Sequence, residues 1–183
     1  MRASIVIGCC VFAASANAQT SGAPAQAPPT LGWFSFGLGL GSVSGDQVSS
    51  ADLELSLSRG PLLVAARHSS LLPTSEFVTS LDPQTHSAGS SSLLFGVRAP
   101  NPAAFGTAAI GPGVTVRDER VFTCDSCAVT QRVTTSYGLA LEGGVHATLG
   151  LAGLGARVYA FIGPGAASHA TFALSVDVGV FRD

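Results

Sequence analysis

The sequence is poor in charged side chains and contains no lysine. Charged residues make up only 11 % of the 183 residues, and all nine basic residues are arginine, whereas a typical soluble domain carries about 25 % charged residues. With 46 % hydrophobic residues, the chain is too apolar to be disordered, and its low charge is unusual for a cytosolic enzyme. The net charge of −2 excludes the strongly basic surface that nucleic-acid binding requires. We therefore expect neither a soluble cytosolic enzyme nor a nucleic-acid-binding protein.

An apolar run long enough to cross a membrane as a helix is also lacking. The longest candidate, residues 3–16, has about fourteen residues, short of the roughly 20 that a transmembrane helix needs. It follows Arg2 and leads into Ala16-Asn17-Ala18, an A-x-A motif, and this order is typical of a secretory signal peptide. We predict a cleaved signal peptide over residues 1–18, a flexible Pro- and Ala-rich lead-in over residues 19–30, and one folded domain over residues 31–183.

No segment after residue 31 shows the apolar periodicity of an amphipathic helix. Instead, apolar residues alternate with small or polar ones, as where Leu53, Leu55 and Leu57 are interleaved with Asp52 and Glu54. Alternation with a period of two is typical of β-strands that have one apolar face. We predict no helix and eight strands, over residues 33–41, 51–59, 61–70, 90–98, 105–117, 134–146, 152–162 and 168–181.

The connections between the predicted strands alternate in length. Short turns with Gly or Pro are predicted at residues 59–61, 100–102 and 149–150. An even number of strands, with short turns at one end and longer loops at the other, is the pattern of outer-membrane β-barrels. The predicted fold class is therefore all-β, an eight-stranded antiparallel up-and-down transmembrane β-barrel. Its longer polar loops are predicted at residues 42–48, 71–88 and 118–132.

Apart from Arg59 in a turn, the charged residues of the predicted strands lie on the face opposite the apolar one. A charge that faces the middle of a bilayer costs roughly 2–4 kcal/mol, so contact with lipid requires this exclusion of charge from the apolar face. The alternative is a soluble periplasmic β-barrel that binds a small apolar ligand in its interior, and it needs the apolar face to point inward. The charged residues are Asp52, Glu54, Arg67, Arg98, Arg117, Glu142, Arg157 and Asp177.

An eight-stranded barrel is too narrow for a water-filled channel, so side chains fill its interior. Inward charges must then be paired and hydrogen-bonded. Turns centred on Gly60-Pro61 and on Leu149-Gly150 would bring two acid–base pairs face to face across their hairpins. We therefore predict two interior salt bridges, Glu54–Arg67 and Glu142–Arg157.

Residues 31–183 resemble the small bacterial outer-membrane β-barrels, similar in plan to the transmembrane domain of OmpA and to OmpX. The resemblance lies in the strand count, the alternation of turns and loops, the inward Arg and Glu side chains and the glycine-rich first strand, Gly32–Gly41. The sequence departs from this family at its end, where Phe181 is out of phase with the apolar face. The resemblance implies a monomer in the bacterial outer membrane that contacts lipid and has no cofactor. It implies a non-enzymatic role, either structural or in binding a ligand at the surface through the three long loops.

Two cysteines lie close together in the third long loop. Cys124 and Cys127 would be the only cysteines left after cleavage of the signal peptide, and disulfides persist outside the cytosol. A zinc site needs four ligands, and no second cysteine pair or nearby histidine supplies them. The βαβ context of thioredoxin-like redox motifs is absent. We predict a small structural disulfide and no metal site, with redox chemistry or metal binding as the alternatives.

One sequence pattern suggests an enzyme. His68 and Ser70 share a face at the exterior end of the third strand. This His-x-Ser pattern resembles the site of the PagL-type lipid A deacylases, which are also eight-stranded barrels. The resemblance implies a lipid A-modifying hydrolase in which Glu76 is the acid that orients His68. Here the pattern lies on the third strand and Glu76 lies in a loop.

Overall fold

The structure, a computed structural model, describes residues 28–43, 45–73, 86–99, 104–123, 128–164 and 167–181. Each strand pairs antiparallel with its neighbours in the chain, and the last strand pairs with the first to close a barrel. The predicted eight-stranded antiparallel up-and-down barrel is confirmed. In the part of the chain that the structure describes, no helix is long and apolar enough to cross a bilayer. The strands are β1 (Thr30–Val43), β2 (Asp46–Arg59), β3 (Leu62–Pro73), β4 (His86–Ala99), β5 (Ala104–Thr123), β6 (Ala128–Leu149), β7 (Ala152–Ile162) and β8 (His169–Val180).

The register of the strands fixes the shape of the barrel. A line of paired residues that starts at Gly32 on β1 and passes once around the barrel returns to β1 at Ser42, ten residues further along. The shear number is therefore 10, and strands in barrels of this kind tilt by about 35–45° from the axis. The line passes through Leu57, Val64, Phe95, Ile110, Leu141, Ala160 and Ala170.

The two ends of the barrel differ. One end of the barrel, called here the turn end, holds Gly60 and Gly150, which turn the chain with φ of 57° and 72°, a conformation that favours glycine. The opposite end is called the hairpin end, because β5 and β6 continue beyond it. β4 pairs with β5 only as far as Glu119, and β7 pairs with β6 only from Leu139. The outer part of the β5–β6 hairpin therefore projects from the barrel, and one edge of β6 is unpaired among the described strands.

The three predicted long loops include residues that belong to strands. In the predicted loop 42–48, residues 42–43 end β1 and residues 46–48 begin β2, and Gly45 has a φ of 99°. Residues 118–123 and 128–132 of the predicted loop 118–132 belong to β5 and β6, and residues 71–73 and 86–88 of the predicted loop 71–88 belong to β3 and β4. Period-two alternation reports a strand only where its two faces meet different surroundings. In the outer parts of β5 and β6 polar residues occur on both faces, as at Asp118–Glu119 and Gln131–Arg132, so no clean alternation marks the strands there.

The apolar phase points outward on all eight strands. Leu38, Leu55 and Phe95 are 60 %, 53 % and 50 % exposed, and the same holds for their apolar neighbours along each strand. Seven of the eight predicted strand charges are buried in the interior, and Arg117 is half-buried at the hairpin end. The predicted division into an apolar outer face and a charged inner face is confirmed. The alternative of a soluble barrel with inward apolar residues is wrong.

Candidate functional site

Five charged side chains fill the middle of the barrel. Asp52 and Glu54 come from β2, Arg67 from β3, Glu142 from β6 and Arg157 from β7, and all five are buried. Arg67 Nη2 lies 3.0 Å from Asp52 Oδ1, and Arg67 Nη1 forms a second ion pair with Glu142 Oε2. Arg157 Nη1 donates to Glu54 Oε2 at 2.5 Å. The guanidinium groups of β3 and β7 therefore bind three carboxylates that come from two other strands, β2 and β6.

The salt-bridge partners differ from those predicted from the hairpins. Glu54 does lie opposite Arg67 in the register of β2 and β3, but its ion pair is with Arg157, and Arg67 pairs with Asp52 and Glu142. Glu142 is opposite Tyr159, because the β6–β7 turn is centred one residue later than predicted. Interior side chains point toward the barrel axis, so they meet partners from strands across the lumen as readily as those beside them.

Hydroxyl groups complete the charged cluster. Ser56 Oγ donates to Glu54 at 2.5 Å, and Arg67 Nε donates to Ser69 Oγ at 3.1 Å. The Arg67 guanidinium also lies over the ring of Tyr159, 4.1 Å from its centroid. Buried charges are stable only when they are paired and hydrogen-bonded. At this level the lumen is therefore a packed polar core of side chains.

An aromatic cluster closes the turn end of the lumen. The Trp33 and Phe105 rings meet edge to face with centroids 5.2 Å apart, and Phe181 packs against both. Arg98 lies over Phe105 at 4.4 Å and donates to the backbone oxygen of Phe181 at 3.1 Å. Phe181 is 3 % exposed. Its shift out of the apolar phase is thereby explained, because the ring points into the lumen.

A hydrogen-bonded chain adjoins this aromatic cluster. His146 Nδ1 donates to Asp177 Oδ2 at 2.7 Å, and Thr107 Oγ1 lies 3.5 Å from His146 Nε2. The His146 ring stacks on Phe105 with an interplanar angle of 11°. Sequence reasoning missed this chain, because its three members lie on β5, β6 and β8. The available signal was that His146 and Asp177 both fall on the inward phase, a few residues before their strands end.

The space for this chain depends on two glycines. A methyl group on Gly155 would lie 2.9 Å from His146 Nδ1 and 2.4 Å from Ser175 Oγ, and one on Gly144 would lie 2.9 Å from Thr107 Oγ1. Contacts this short force a neighbour to move. The glycine-rich turn end therefore makes room for polar side chains in a narrow lumen.

Two of the three residues of the predicted hydrolase site lie on one face of β3. His68 and Ser70 both point outward from β3, and the hydrogen bond of His68 joins its Nδ1 to Ser91 Oγ on β4 at 2.9 Å. Ser70 lies opposite Gly89 on β4. Glu76 lies outside the described residues, so the orienting acid stays a prediction.

Other predicted features also fall outside the described residues. These are the signal peptide over residues 1–18, most of the lead-in over residues 19–30, and the disulfide between Cys124 and Cys127. β1 begins at Thr30, one residue before the predicted start of the domain. Among the residues that the structure describes, no group of three or more His, Cys, Asp or Glu is placed to hold a metal ion.

Comparison with known proteins identifies relatives in structure but not in sequence. No protein-family model matches the chain, and no curated protein matches it. The neisserial surface protein A (NspA) is similar in structure, with a TM-score of 0.59 and 12 % identity over 84 % of this chain and 97 % of that one. Ail, the attachment invasion locus protein of Yersinia pestis, has a TM-score of 0.57 and 10 % identity over 82 % of this chain and 97 % of its own.

A third solved structure is the N-terminal β-barrel domain of OprF from Pseudomonas aeruginosa. It has a TM-score of 0.50 and 11 % identity over 84 % of this chain and 99 % of that domain. At identities this low, the structural match establishes a common fold and nothing more. Each of the three barrels is matched over almost its whole length. The chain therefore has the closed eight-stranded barrel fold of these proteins.

Proposed function

We propose that this protein is a non-enzymatic β-barrel of the bacterial outer membrane, exported through a cleaved signal peptide, that acts at the cell surface. The observation that carries the proposal is the uncharged outer belt. Among the described residues, outward strand positions carry no Asp, Glu or Arg between Arg59 at the turn end and Asp118 on the projecting hairpin. One charge in such a belt would cost roughly 2–4 kcal/mol in a bilayer, whereas a soluble barrel has no reason to exclude charge from its outer face.

The barrel interior supports a structural or binding role for the outside of the molecule. Arg157 and Tyr159 are each 1 % exposed in the middle of the lumen, and side chains, not water, occupy the space. Transport through the barrel would therefore need this core to rearrange.

The projecting β5–β6 hairpin is the part best placed to meet a surface ligand. Val133 and Tyr137 are 60 % and 76 % exposed on its outward side, and the edge of β6 before Leu139 is unpaired among the described strands. An unpaired edge offers backbone N–H and C=O groups to another chain. Two of the structural neighbours are named as a surface protein and an attachment protein, which is in keeping with such a role.

A first experiment tests whether the barrel is an integral membrane protein. Membranes from expressing cells are washed with carbonate, and the protein is run in detergent gels with and without boiling. We expect the protein to stay in the membrane pellet and its band to shift only on boiling. Release into the soluble fraction without a shift contradicts the proposal.

A second experiment tests orientation and role. An epitope inserted at residues 124–127 is expected to bind antibody on intact cells, since the hairpin projects outward. Antibody binding only after lysis contradicts a surface role.

Purified protein in lipid A vesicles is expected to leave the acyl chains intact. Deacylation that is lost in His68→Ala favours the hydrolase alternative, with Ser91 or Ser70 as the nucleophile.

A further inference from the structure

The charged cluster in the middle of the lumen has more acidic groups than basic ones. Arg157 pairs with Glu54, and Arg67 pairs with both Asp52 and Glu142. All five side chains are buried. If every group were ionised, three carboxylates against two guanidinium groups would leave one negative charge without a partner. A buried charge of this kind is strongly unfavourable, so the cluster calls for one more positive charge or one fewer negative charge.

The other charged groups of the lumen belong to its two ends. Asp177 pairs with His146 at 2.7 Å, and Arg98 lies over Phe105 at 4.4 Å, both at the turn end. Arg117 is half-buried at the hairpin end. The excess negative charge therefore stays in the middle of the lumen.

The two glutamates of the cluster meet each other across the lumen. The side chains of Glu54 on β2 and Glu142 on β6 are hydrogen-bonded to one another. An ionised carboxylate only accepts hydrogen bonds, so a bond between two carboxyl groups needs a proton on one of them. Two carboxyl groups that share a site in this way do not both ionise, because their like charges repel.

The hydrogen bonds around the pair indicate which glutamate holds the proton. Ser56 Oγ donates to Glu54 Oε1 and Arg157 Nη1 donates to Glu54 Oε2, each at 2.5 Å. Both oxygens of Glu54 therefore accept from other donors, as a carboxylate does. Glu142 accepts from Arg67 through Oε2, which leaves its Oε1 to carry a proton.

We propose that Glu142 binds one proton in the folded barrel at neutral pH and donates it in a hydrogen bond to the carboxylate of Glu54. The cluster then holds two guanidinium groups, two carboxylates and one neutral carboxylic acid, and its charges balance. This inference concerns the lumen and is independent of the proposed function at the cell surface. The charged and titratable groups that face the site are Asp52 and Glu54 from β2, Arg67 from β3, and Arg157 and Tyr159 from β7.

Infrared spectroscopy tests for this proton, because the C=O stretching band of a protonated carboxylic acid is separate from the bands of carboxylates. The full chain is folded at neutral pH in a detergent that has no carbonyl group, with and without carbon-13 in the side-chain carboxyls of glutamate. We expect an acid band that moves to lower frequency with the label. Glu142→Gln, which keeps a neutral donor toward Glu54, is expected to remove the band. Asp46→Asn, at an exposed acid, is expected to leave it unchanged.

The bound proton also makes folding depend on pH. A glutamate of the unfolded chain is ionised at neutral pH, so the barrel takes up one proton when it folds, and a rise in pH favours the unfolded state. Between mildly acidic and neutral pH, the folding constant of the unaltered protein should fall about tenfold per pH unit relative to that of Glu142→Gln. Urea titrations of the two proteins at each pH measure this ratio.

The proposal is overturned if the unaltered protein has no acid band, if the band does not respond to the glutamate label, or if it survives Glu142→Gln. Parallel pH profiles of the two proteins would also overturn it. A folding constant that rises with sodium or potassium concentration, without an acid band, would assign the charge balance to a bound cation instead. If Glu142→Gln fails to give the heat-shifted band of a folded barrel, the labelled unaltered protein decides.

Discussion

Arg157 on β7 reaches across the lumen to Glu54 on β2, with Nη1 and Oε2 2.5 Å apart and both side chains buried. The two residues are 103 positions apart in the chain, on strands that are not neighbours in the barrel. This ion pair ties β2 to β7 across the interior. It therefore contributes to a closed barrel and not only to the local stability of a strand pair.

Replacing Arg157 by methionine should destabilise the barrel by about 3–5 kcal/mol, because removal of one partner leaves the Glu54 carboxylate buried without its charge partner. The double variant Glu54→Gln with Arg157→Met should recover much of this loss, since neither charge remains. Urea unfolding in lipid vesicles, followed by the heat-shifted band, measures the change.

Arg59→Met is the matched control, because Arg59 is exposed at the turn end and surface substitutions usually change stability by less than about 0.5 kcal/mol. If Arg157→Met lowers the free energy of unfolding no more than Arg59→Met does, the ion pair makes no net contribution to stability.

Two glycines on the adjacent strands β6 and β7 should respond oppositely to alanine. Gly155→Ala places a methyl group 2.4 Å from Ser175 Oγ and 3.0 Å from Asp177 Oδ2, and crowding of this kind costs about 1–3 kcal/mol. On Gly143 the nearest atom, the backbone oxygen of Thr107, is 4.0 Å from the methyl position. Gly143→Ala should therefore be neutral or slightly stabilising, because alanine loses less backbone entropy on folding. Unfolding midpoints of the two variants in the same vesicles check this, and equal midpoints would contradict it.

The sequence predicts the number of strands, the face on which each side chain lies and the inward position of the strand charges. It does so because lipid on one side and a packed lumen on the other impose a period of two. The ion-pair partners could not be predicted in this way. Glu54 meets Arg157 through the tilt and closure of the barrel, and no local spacing encodes that contact. The extent of the β5–β6 hairpin was also missed, since polar residues occur on both faces of its outer part, as at Gln131–Arg132, and obscure the alternation.

A cavity at the hairpin end of the lumen was equally hidden from the sequence. Its wall combines residues of several strands, among them Val43 from β1, Leu71 from β3 and Thr115 from β5. Only the closed barrel brings these residues together.

A charge placed on the outer belt should distinguish lipid from water as the surroundings of that face. Leu55 lies midway along β2 and Leu151 lies in the β6–β7 turn, and they are 53 % and 70 % exposed. In a bilayer, Leu55→Arg should cost roughly 2–4 kcal/mol and Leu151→Arg about 0–1 kcal/mol, because the cost falls from the midplane to the interface.

Urea titrations in vesicles measure both free energies of unfolding. If the two arginine variants prove equally stable, the belt is not in contact with hydrocarbon, and the outer-membrane proposal fails.

Removing the ring of Phe181 should open the turn end of the lumen. Phe181 packs between Trp33 and Phe105, and truncation of a buried phenylalanine to alanine costs about 3–5 kcal/mol. Trp33 is the only tryptophan of the chain, so its fluorescence reports on this site directly, and we expect its emission to move to the red as water enters. Val180→Ala is the control, because Val180 is the neighbouring residue but points outward and is 50 % exposed. If Phe181→Ala leaves the emission unchanged and unfolds like Val180→Ala, the final phenylalanine lies outside the lumen, and its shift from the apolar phase needs another explanation.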